Sequence, residues 1–395
     1  MVVVGGGVIG TSIAFHLAEA GTDVCLLERD QLAADPRAAP QVGFRAQFSD
    51  PLNIAIGLRS IEAFTRFAER PGAEIDLHQV GYLFLLDRAE DVAAFESSVA
   101  LQNELGVPSR FVDLDEIREL CPIAGLDGVL AATYCPLDGH ASPEAVVAGL
   151  RGRSTEPRRD RAHRLRCDGG RARRHARSAR SRHRSAQSQT VTVVCAAGAW
   201  SPGSRAPSAS SFPSSRIFRE VGFTSRPTAS RRASRSRSTS RPGFYFHREG
   251  PGLLFGMADR DQPPGFDAPP IRRWLEKVME VAERRLPSLL DMGIAGGWKG
   301  YYEVTPDHNA LVGKAPDVAA LPLRDRLLGP RLPAGPGDPA RSSATSCSDA
   351  SPFVDVVAAR GQSASRTRQT QPRAIERDLR ARRAISTRST VRLCR

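Results

Sequence analysis

The chain has 395 residues, a formal net charge of +13 and 41% hydrophobic residues. This length allows two domains with ample core, and the first apolar run lacks the basic flank of a signal peptide, so we expect no membrane span and a cytoplasmic location. The seven cysteines show no CxxC or other ligand spacing, which argues against a metal site and indicates reduced thiols.

Residues 1–30 predict a dinucleotide-binding unit in the order strand, glycine turn, helix, strand and acid. A short β-branched run precedes Gly5, Gly7 and Gly10, which we assign to the tight turn, the close approach of a pyrophosphate and the close helix–strand contact. The phosphate is expected at the positive N-terminal end of the helix. Glu28 follows the second strand, where an acid can accept hydrogen bonds from ribose hydroxyls, and this favours FAD or NAD over NADP.

Further stretches with regular patterning predict the remaining elements in chain order. They are a helix from Pro51 to Glu69, a strand from Val80 to Leu86, a helix from Ala89 to Leu105, a helix begun by Ser142 and Pro143, a strand from Val191 to Cys195, a hairpin from Gly243 to Met257, a helix from Arg272 to Leu286, and a strand with a loop from Gly296 to Gly313. We expect Val191–Cys195 to join the sheet of Val2–Val4, because both are short β-rich runs that end in small residues.

Five motifs stand in a distinctive order along the chain. They are GGGVIG with Glu28, GFRAQF at 43–48, CAAGAWS at 195–201, GFYFHREGPGLLFGM at 243–257 and GWKGYYEVTPDHNALVG at 297–313. Together they resemble the FAD-dependent amine oxidoreductases of the D-amino-acid oxidase superfamily, in particular the group of the sarcosine oxidase β-subunit and dimethylglycine dehydrogenase. The resemblance favours FAD over NAD, since a nicotinamide dehydrogenase has no reason to carry the AAGAW and TPD motifs.

This resemblance implies an α/β fold with a Rossmann-like FAD-binding domain and an α+β substrate domain, both discontinuous in sequence. The FAD-binding domain is expected to comprise residues 1–48, 140–205 and 297–345, and the substrate domain residues 49–139 and 217–296. Residues 346–395 are interpreted as a low-complexity tail.

The resemblance also implies a reaction and a set of site residues. The reaction is oxidation of the C–N bond of a secondary or tertiary amine, with hydride transfer to the flavin. Arg45 matches the arginine that binds the substrate carboxylate, and Tyr245 a tyrosine that lines the substrate pocket; the alternatives are a surface arginine and an ordinary strand aromatic. No catalytic residue is assigned. The remaining cofactor contacts are expected from Ala197, Gly198, Thr305, Pro306 and Asp307.

Two departures from the simplest sarcosine oxidases bear on the cofactor and on oxygen. The cysteine that binds their flavin covalently would fall near Gly300, so the FAD is expected to be non-covalent. The lysine that promotes reaction with oxygen would fall at Leu254, which favours a dehydrogenase or a subunit of a hetero-oligomeric oxidase with partner subunits. An NAD-linked dehydrogenase and a non-enzymatic basic protein that associates with nucleic acid stay open as alternatives.

Poorly patterned stretches rich in Arg, Ser, Pro and Ala interrupt this order at residues 151–189, 203–216, 225–242 and 323–350. Residues 151–190 alone hold fourteen arginines against three acids, which accounts for most of the net charge. These stretches are either disordered basic insertions, as in a nucleic-acid-associated protein, or out-of-frame translations of a GC-rich gene.

Translation of these stretches in a reading frame shifted by one base favours the second explanation, because the shifted segments resemble parts of the family. We therefore expect no nucleic-acid partner. With suitable synonymous codons, residues 323–338 decode to YATGFSGHGFLQGPA, which resembles the family's C-terminal flavin loop. Residues 235–243 decode to LAVDFPTG, which leads directly into FYFHREG. We therefore predict disordered or misformed segments and a chain that, as written, binds FAD poorly and is inactive, because Pro-rich replacements cannot supply the backbone N–H groups that such loops offer to the flavin.

Overall fold

A computed structural model of the chain describes residues 1–29, 32, 41–152, 164–168, 171–175, 193–203, 214–225, 237–240, 243–259, 261–266, 271–305, 309–310 and 391–394. Two main sheets organise them, one four-stranded and one eight-stranded, together with two two-stranded ribbons. The predicted α/β class with a second, α+β part is confirmed.

The helices are α1 Val8–Glu19, α2 Pro51–Thr65, α3 Ala89–Glu104, α4 Leu114–Leu120, α5 Pro143–Arg151 and α6 Ile271–Arg285, with 3-10 turns at Gly198–Gly203 and Pro287–Asp291. The strands are β1 Val2–Val4, β2 Val24–Leu27, β3 Val42–Phe44, β4 Tyr82–Leu86, β5 Arg110–Val112, β6 Ala131–Cys135, β7 Gly139–Ala141, β8 Arg164–Asp168, β9 Arg171–His175, β10 Val193–Cys195, β11 Ser215–Thr224, β12 Arg237–Ser240, β13 Phe244–Glu249, β14 Gly252–Met257, β15 Ile294–Val304 and β16 Val391–Cys394.

The four-stranded sheet is the Rossmann-like part of the fold. Its strands are parallel in the order β10-β1-β2-β16, and Val2 pairs with both Val193 and Cys25. Helix α1 packs its apolar residues Ile9 and Ile13 against these strands. The prediction that the strand ending at Cys195 joins β1 is confirmed for its described residues 193–195; β16, in contrast, comes from a tail whose composition predicted no strand.

A short antiparallel ribbon of β3 and β7 carries the GFRAQF segment towards the second sheet. Helix α2 follows this segment, and its start is fixed by the Asp50 carboxylate, which accepts a hydrogen bond from the Asn53 backbone N–H at 2.9 Å. Phe44 and Phe64 pack with Val146 of α5 in a common core. The ribbon is therefore held by helices on one side and is free to contact the sheet on the other.

The eight-stranded sheet has the order β15-β11-β14-β13-β12-β4-β6-β5. One face packs on α6, where the Trp274 indole N–H donates to the Met257 carbonyl at 2.9 Å and Phe246 and Phe255 lie in the core. Because side chains alternate along a strand, the opposite face carries Val221, Tyr245 and Leu254, which form a cluster of their own. We call this opposite face the site face.

Most strongly patterned elements have the predicted positions. The hairpin of β13 and β14 pairs Glu249 with Gly252 at its turn. Strand β4 begins at Tyr82 rather than Val80, because Gly81 adopts a positive φ of 79°. Strands β3, β5, β6 and β7 and helix α4 were not predicted: each strand has only three to five residues, too few for a period to show.

Some described residues fall within the poorly patterned stretches. Strand β12, Arg-Ser-Thr-Ser, lies between β4 and β13 in the eight-stranded sheet. Strands β8 and β9 form a hairpin in which Arg166 pairs with Arg173. Strands are typically enriched in β-branched and aromatic residues, and these Arg- and Ser-rich segments are not, so the local sequence disagrees with the local structure at both places.

Candidate functional site

The glycine turn between β1 and α1 shows three different uses of glycine. Gly5 has a φ of 107°, and a Cβ there would overlap the backbone carbonyl of Ala196. A Cβ on Gly10 would overlap the Gly5 carbonyl, so this residue allows the close approach of helix and turn. A Cβ on Gly7 would meet nothing within 4 Å, which leaves open space at the N-terminus of α1.

Glu28 lies at the carboxyl end of β2 beside this turn. Its Oε2 accepts a hydrogen bond from the Gly6 N–H at 2.5 Å, and its Oε1 accepts one from the Arg29 N–H at 2.8 Å. The first turn of α1 contains no acidic residue, so the positive end of the helix dipole faces the open space. The arrangement suits an anionic group over Gly7 with a hydroxyl donor near Glu28.

The predicted residues after β10 adjoin the same edge of the sheet. The Ala196 N–H donates to the Val4 carbonyl at 2.7 Å, and Ala197 and Gly198 follow it. Gly198 has a φ of 53°, and a Cβ there would meet the buried Glu303 carboxylate at 2.6 Å. The carboxyl ends of β1, β2 and β10 thus meet at one edge, which is where nucleotides bind to sheets of this type.

Thr305 is buried just beyond the end of β15. Its hydroxyl donates to the Asn309 backbone carbonyl at 2.9 Å, and the Asn309 side chain accepts from the Asn53 amide at 3.1 Å. These contacts tie the loop after β15 to the start of α2. Pro306 and Asp307, the other two residues predicted for this loop, lie outside the described residues.

Arg45 is a buried residue and not a surface arginine. Its side chain is 6% exposed, its Nη1 donates to the Gln47 backbone carbonyl at 3.0 Å, and its guanidinium lies over the rings of Phe48 and Phe84 at 4.5 and 5.2 Å. The two rings help to hold the guanidinium in its place by cation–π contacts. The surface alternative for Arg45 is therefore wrong.

A buried carboxyl group that the sequence did not reveal holds the segment around Arg45. Asp138 is fully buried, and its two oxygens accept from the Ala46 N–H at 2.8 Å and the Gln47 amide at 3.0 Å. The Gln47 amide also donates to the Tyr82 carbonyl at 2.9 Å. Burial raises the pKa of Asp138 to about 6, against the lowering effect of these hydrogen bonds and of Arg45.

Tyr245 is buried on the site face, and its ring lies across Gly256, where a Cβ would overlap the phenol oxygen. Strand pairing places Phe84, Thr239 and Tyr245 in one row. Arg45, over Phe84, is thus anchored two strand spacings, about 10 Å, from Tyr245. Stacked rings of His140 on β7 and His247 on β13, 4.9 Å apart, hold the ribbon against this face.

A second arginine that sequence reasoning missed lies on the site face beyond Tyr245. Arg219 of β11 is partly exposed; its Nη1 donates to the Phe218 carbonyl at 2.9 Å, and its guanidinium lies 5.5 Å from the centre of the Tyr302 ring. Burial lowers the pKa of Arg219, while the charges of Tyr302, Tyr245 and Asp259 act in the opposite direction. Its strand adjoins a poorly patterned stretch, which obscured the alternation.

Two further observations concern the described residues only. No group of three or more His, Cys, Asp or Glu side chains among them could hold a metal ion. None of the helices in this part of the chain is both long and apolar enough to cross a membrane.

A parallel sheet with a glycine turn at its carboxyl edge, together with a mixed sheet whose Phe84 lies under the buried Arg45, is an arrangement typical of proteins that bind a dinucleotide cofactor. The comparisons with known proteins specify the cofactor. The chain belongs to the FAD dependent oxidoreductase (DAO) family, whose sequence model matches residues 1–328. FAD is therefore the cofactor, as predicted, and the NAD-linked and non-enzymatic alternatives are wrong.

Individual relatives agree on the family and differ in name. Rat dimethylglycine dehydrogenase (Rattus norvegicus) is 33% identical over 38% of this chain and 18% of its own length, so the chain matches less than a fifth of that protein. Glycine oxidase of Bacillus licheniformis is 26% identical over 83% of this chain and 85% of its own. The structure of L-proline dehydrogenase from P. horikoshii has a TM-score of 0.69 at 24% identity, covering 86% of this chain and 89% of that one, which shows the shared fold.

Proposed function

We propose that this family member oxidises the C–N bond of a secondary or tertiary amino acid of the sarcosine or dimethylglycine type. The observation that carries the proposal is the buried Arg45 guanidinium, held over Phe84 and about two strand spacings from Tyr245 on the site face. FAD supplies the hydride acceptor when it is bound. The protein's part is to bind and orient the two reactants.

The proposed cofactor contacts follow the geometry of the glycine turn. Open space over Gly7 at the α1 N-terminus suits the pyrophosphate, and Glu28 suits the ribose hydroxyls. Ala197, Gly198, Thr305, Pro306 and Asp307 are proposed to complete the site. Gly300 offers no group for a covalent bond to the flavin, so we propose that the FAD is held non-covalently.

On the substrate side, the fork-shaped guanidinium of Arg45 can hold a carboxylate by two parallel hydrogen bonds. Val221, Tyr245 and Leu254 form an apolar floor that suits the methyl groups of an N-methylated amine. The substrate is thus oriented by its carboxylate at one end and by its apolar amine substituents at the other. Such fixed orientation is the main contribution that we assign to this chain in catalysis.

The electron acceptor is proposed to be something other than oxygen. Leu254 is 2% exposed and lies in the apolar cluster with Tyr245, so the described site face has no lysine at the position where the resemblance expects the oxygen-activating one. A dehydrogenase, or a subunit of a hetero-oligomeric oxidase that passes electrons onward, fits this apolar surface better. Reduced enzyme should then be reoxidised faster by an artificial acceptor such as phenazine methosulfate than by air.

The chain as written is proposed to be impaired by frame damage. Strand β12, Arg-Ser-Thr-Ser, lies between the apolar strands β4 and β13, and this mismatch supports the decoded LAVDFPTG at 235–243. We expect the chain as written to be insoluble or colourless, and the frame-restored chain to be yellow. Soluble yellow protein from the unaltered sequence, bleached by sarcosine, would show the frame-damage account to be wrong.

The decisive test of the substrate assignment is Arg45→Ala in the frame-restored enzyme. Loss of a charge-assisted bond worth about 1.5–3 kcal/mol should raise the KM for an N-methyl amino acid by roughly 10- to 100-fold. Arg59→Ala is the matched control, since Arg59 is an exposed α2 arginine that pairs with Glu62 at 2.6 Å, and its KM should not change. An unaltered KM in Arg45→Ala would refute the role.

A further inference from the structure

The carboxyl group of Asp138 is linked to Arg45 through the two residues that follow Arg45 in the chain. Its oxygens accept hydrogen bonds from the Ala46 N–H at 2.8 Å and from the Gln47 side-chain amide at 3.0 Å. The Arg45 Nη1 in turn donates to the Gln47 backbone carbonyl at 3.0 Å. A change in the hydrogen bonds of Asp138 therefore acts on the backbone and on the side-chain contact that hold the guanidinium in place.

The orientation of the Gln47 amide makes this link specific for a carboxyl group. Its nitrogen also donates to the Tyr82 backbone carbonyl at 2.9 Å, and its oxygen accepts from the Thr133 hydroxyl at 3.3 Å. Asp138 thus faces two N–H donors, one from Ala46 and one from Gln47. An asparagine at position 138 would have a single acceptor oxygen, so its own amide nitrogen would face one of these donors.

Asp138 is fully buried, which makes its protonation state sensitive to the charges around it. Arg45 favours the ionised form; the other titratable groups that face it are Cys135 and Tyr134 of β6, and His140 lies two residues farther along the chain in β7. Burial outweighs the hydrogen bonds and Arg45 and raises the pKa of Asp138 to about 6. A carboxylate that binds Arg45 brings a second negative charge to the same cation, which favours the neutral form of Asp138.

The site can hold the added proton without losing its hydrogen bonds. The Cys135 thiol is a hydrogen-bond partner of Asp138, and a thiol sulfur both donates and accepts weakly. A protonated Asp138 can therefore donate towards this sulfur while its two oxygens still accept from Ala46 and Gln47. Burial raises the pKa of the Cys135 thiol, so the thiol stays neutral and is not the source of the proton.

We propose that Asp138 is a positioning residue for Arg45 and that it takes up a proton from solution when the substrate carboxylate binds. The inference rests on the proposed function, in which Arg45 binds that carboxylate. It adds a residue to substrate binding that does not itself contact the substrate. The affinity for the substrate should then fall as the pH rises, although the substrate carboxylate stays ionised throughout.

The test is titration calorimetry of methoxyacetate with the frame-restored full chain in its FAD-bound form. Methoxyacetate has an ether oxygen in place of the amine nitrogen of sarcosine, so it is not oxidised and its carboxylate is its sole titratable group. Its Kd should be about tenfold larger at pH 8 than at pH 5. Near pH 6.5 the heat should vary with the ionisation enthalpy of the buffer in the direction of proton uptake, by about half a proton for each ligand bound.

Two variants assign this proton to Asp138. In Asp138→Asn the Kd should change less than about twofold between the two pH values, and the uptake should be absent. Glu144→Gln is the matched control, because Glu144 is a carboxyl group in the first turn of α5 whose pKa is also raised by burial. This control should keep both the pH dependence and the uptake. A merely structural role of Asp138 would instead weaken binding equally at every pH.

The outcomes separate this proposal from the one on which it rests. Equal Kd values at pH 5 and pH 8, no proton uptake in the parent protein, or uptake that persists in Asp138→Asn each overturn it. If Asp138→Asn does not fold, an infrared difference spectrum of the parent protein decides, because binding should add the C=O band of a protonated carboxyl group and its absence overturns the proposal. If Arg45→Met binds methoxyacetate as the parent protein does, the proposed role of Arg45 fails and this inference fails with it. Loss of binding in Arg45→Met, together with no uptake in the parent protein, refutes this inference alone.

Discussion

Gly7 and Gly10 offer a paired test of the glycine turn, because the same substitution should have opposite consequences at the two positions. A Cβ at Gly10 would overlap the Gly5 carbonyl, whereas a Cβ at Gly7 would meet no atom within 4 Å. Gly7 has a φ of −70°, which alanine adopts without strain. The protein itself therefore excludes a methyl group at position 10, whereas only a bound ligand would exclude a methyl group at position 7.

The magnitudes follow from these two environments. Gly10→Ala forces the turn and α1 apart, and overpacking of this kind typically costs about 1–3 kcal/mol of unfolding free energy, partly offset by up to about 1 kcal/mol of helix propensity. Gly7→Ala loses about 0.5 kcal/mol as a helix cap and gains a similar amount from the restricted unfolded chain. Its stability should therefore stay within about 0.5 kcal/mol of the parent protein.

The assay measures urea unfolding and FAD affinity on the same frame-restored preparations. Gly10→Ala should lower the free energy of unfolding, whereas Gly7→Ala should weaken FAD binding about tenfold or more with stability preserved. If Gly7→Ala binds FAD as tightly as the parent protein, then the pyrophosphate does not approach the turn at this residue. If Gly10→Ala is as stable as the parent protein, the close contact of helix and turn is not required.

Two more predictions concern stability. Asp138 has a pKa raised by burial to about 6, from an ordinary 3.8, in a site that Arg45, Cys135 and Tyr134 face. The folded state thus binds a proton more tightly than the unfolded state, so the free energy of unfolding should fall by about 3 kcal/mol as the pH rises from about 4 to above 6. The Asp138→Asn variant should lack this fall. If the free energy of unfolding depends on pH in the same way in the variant and in the parent protein, the prediction is contradicted. Asp50→Ala removes the cap of α2 and should cost about 1 kcal/mol in urea unfolding, against no change for the exposed Asp115→Ala.

The parts of the fold that the sequence predicted are those with a local physical signature. The glycine turn was identified because Gly5 and Gly10 are required by backbone geometry, and α2 because Asp50 and Pro51 mark its start. The hairpin of β13 and β14 shows its turn through Gly250 and Gly252. Such features depend on only a few adjacent residues, so they can be recognised in the sequence even though other stretches of the chain are poorly patterned.

The parts that were missed depend on residues distant in sequence. Asp138 becomes a buried hydrogen-bond acceptor only when β7 pairs with β3 and brings Ala46 and Gln47 to it, ninety or so positions away along the chain. Arg219 is a candidate site residue only because β11 pairs with β14 and β15 and so shares a face with Tyr245. The sequence of neither segment has a periodicity or a residue spacing that would predict these strand pairings.

The last prediction addresses the disagreement between sequence and structure at β12. Ser238 pairs in register with Leu83 on one neighbouring strand and with Phe246 on the other, and both of these apolar partners belong to the core that packs on α6. If this strand replaces the apolar segment LAVDFPTG that the shifted frame encodes at residues 235–243, Ser238→Val should raise the free energy of unfolding by about 1–2 kcal/mol. The gain would come from added buried apolar area and from a residue that favours strands. Thr239→Val, at the next position and in register with Phe84 and Tyr245, is the matched control and should gain less, because threonine is already a good strand residue. Should Ser238→Val instead destabilise the chain, the serine is the residue that this sheet requires, and the segment is a genuine part of the protein rather than the product of a shifted frame.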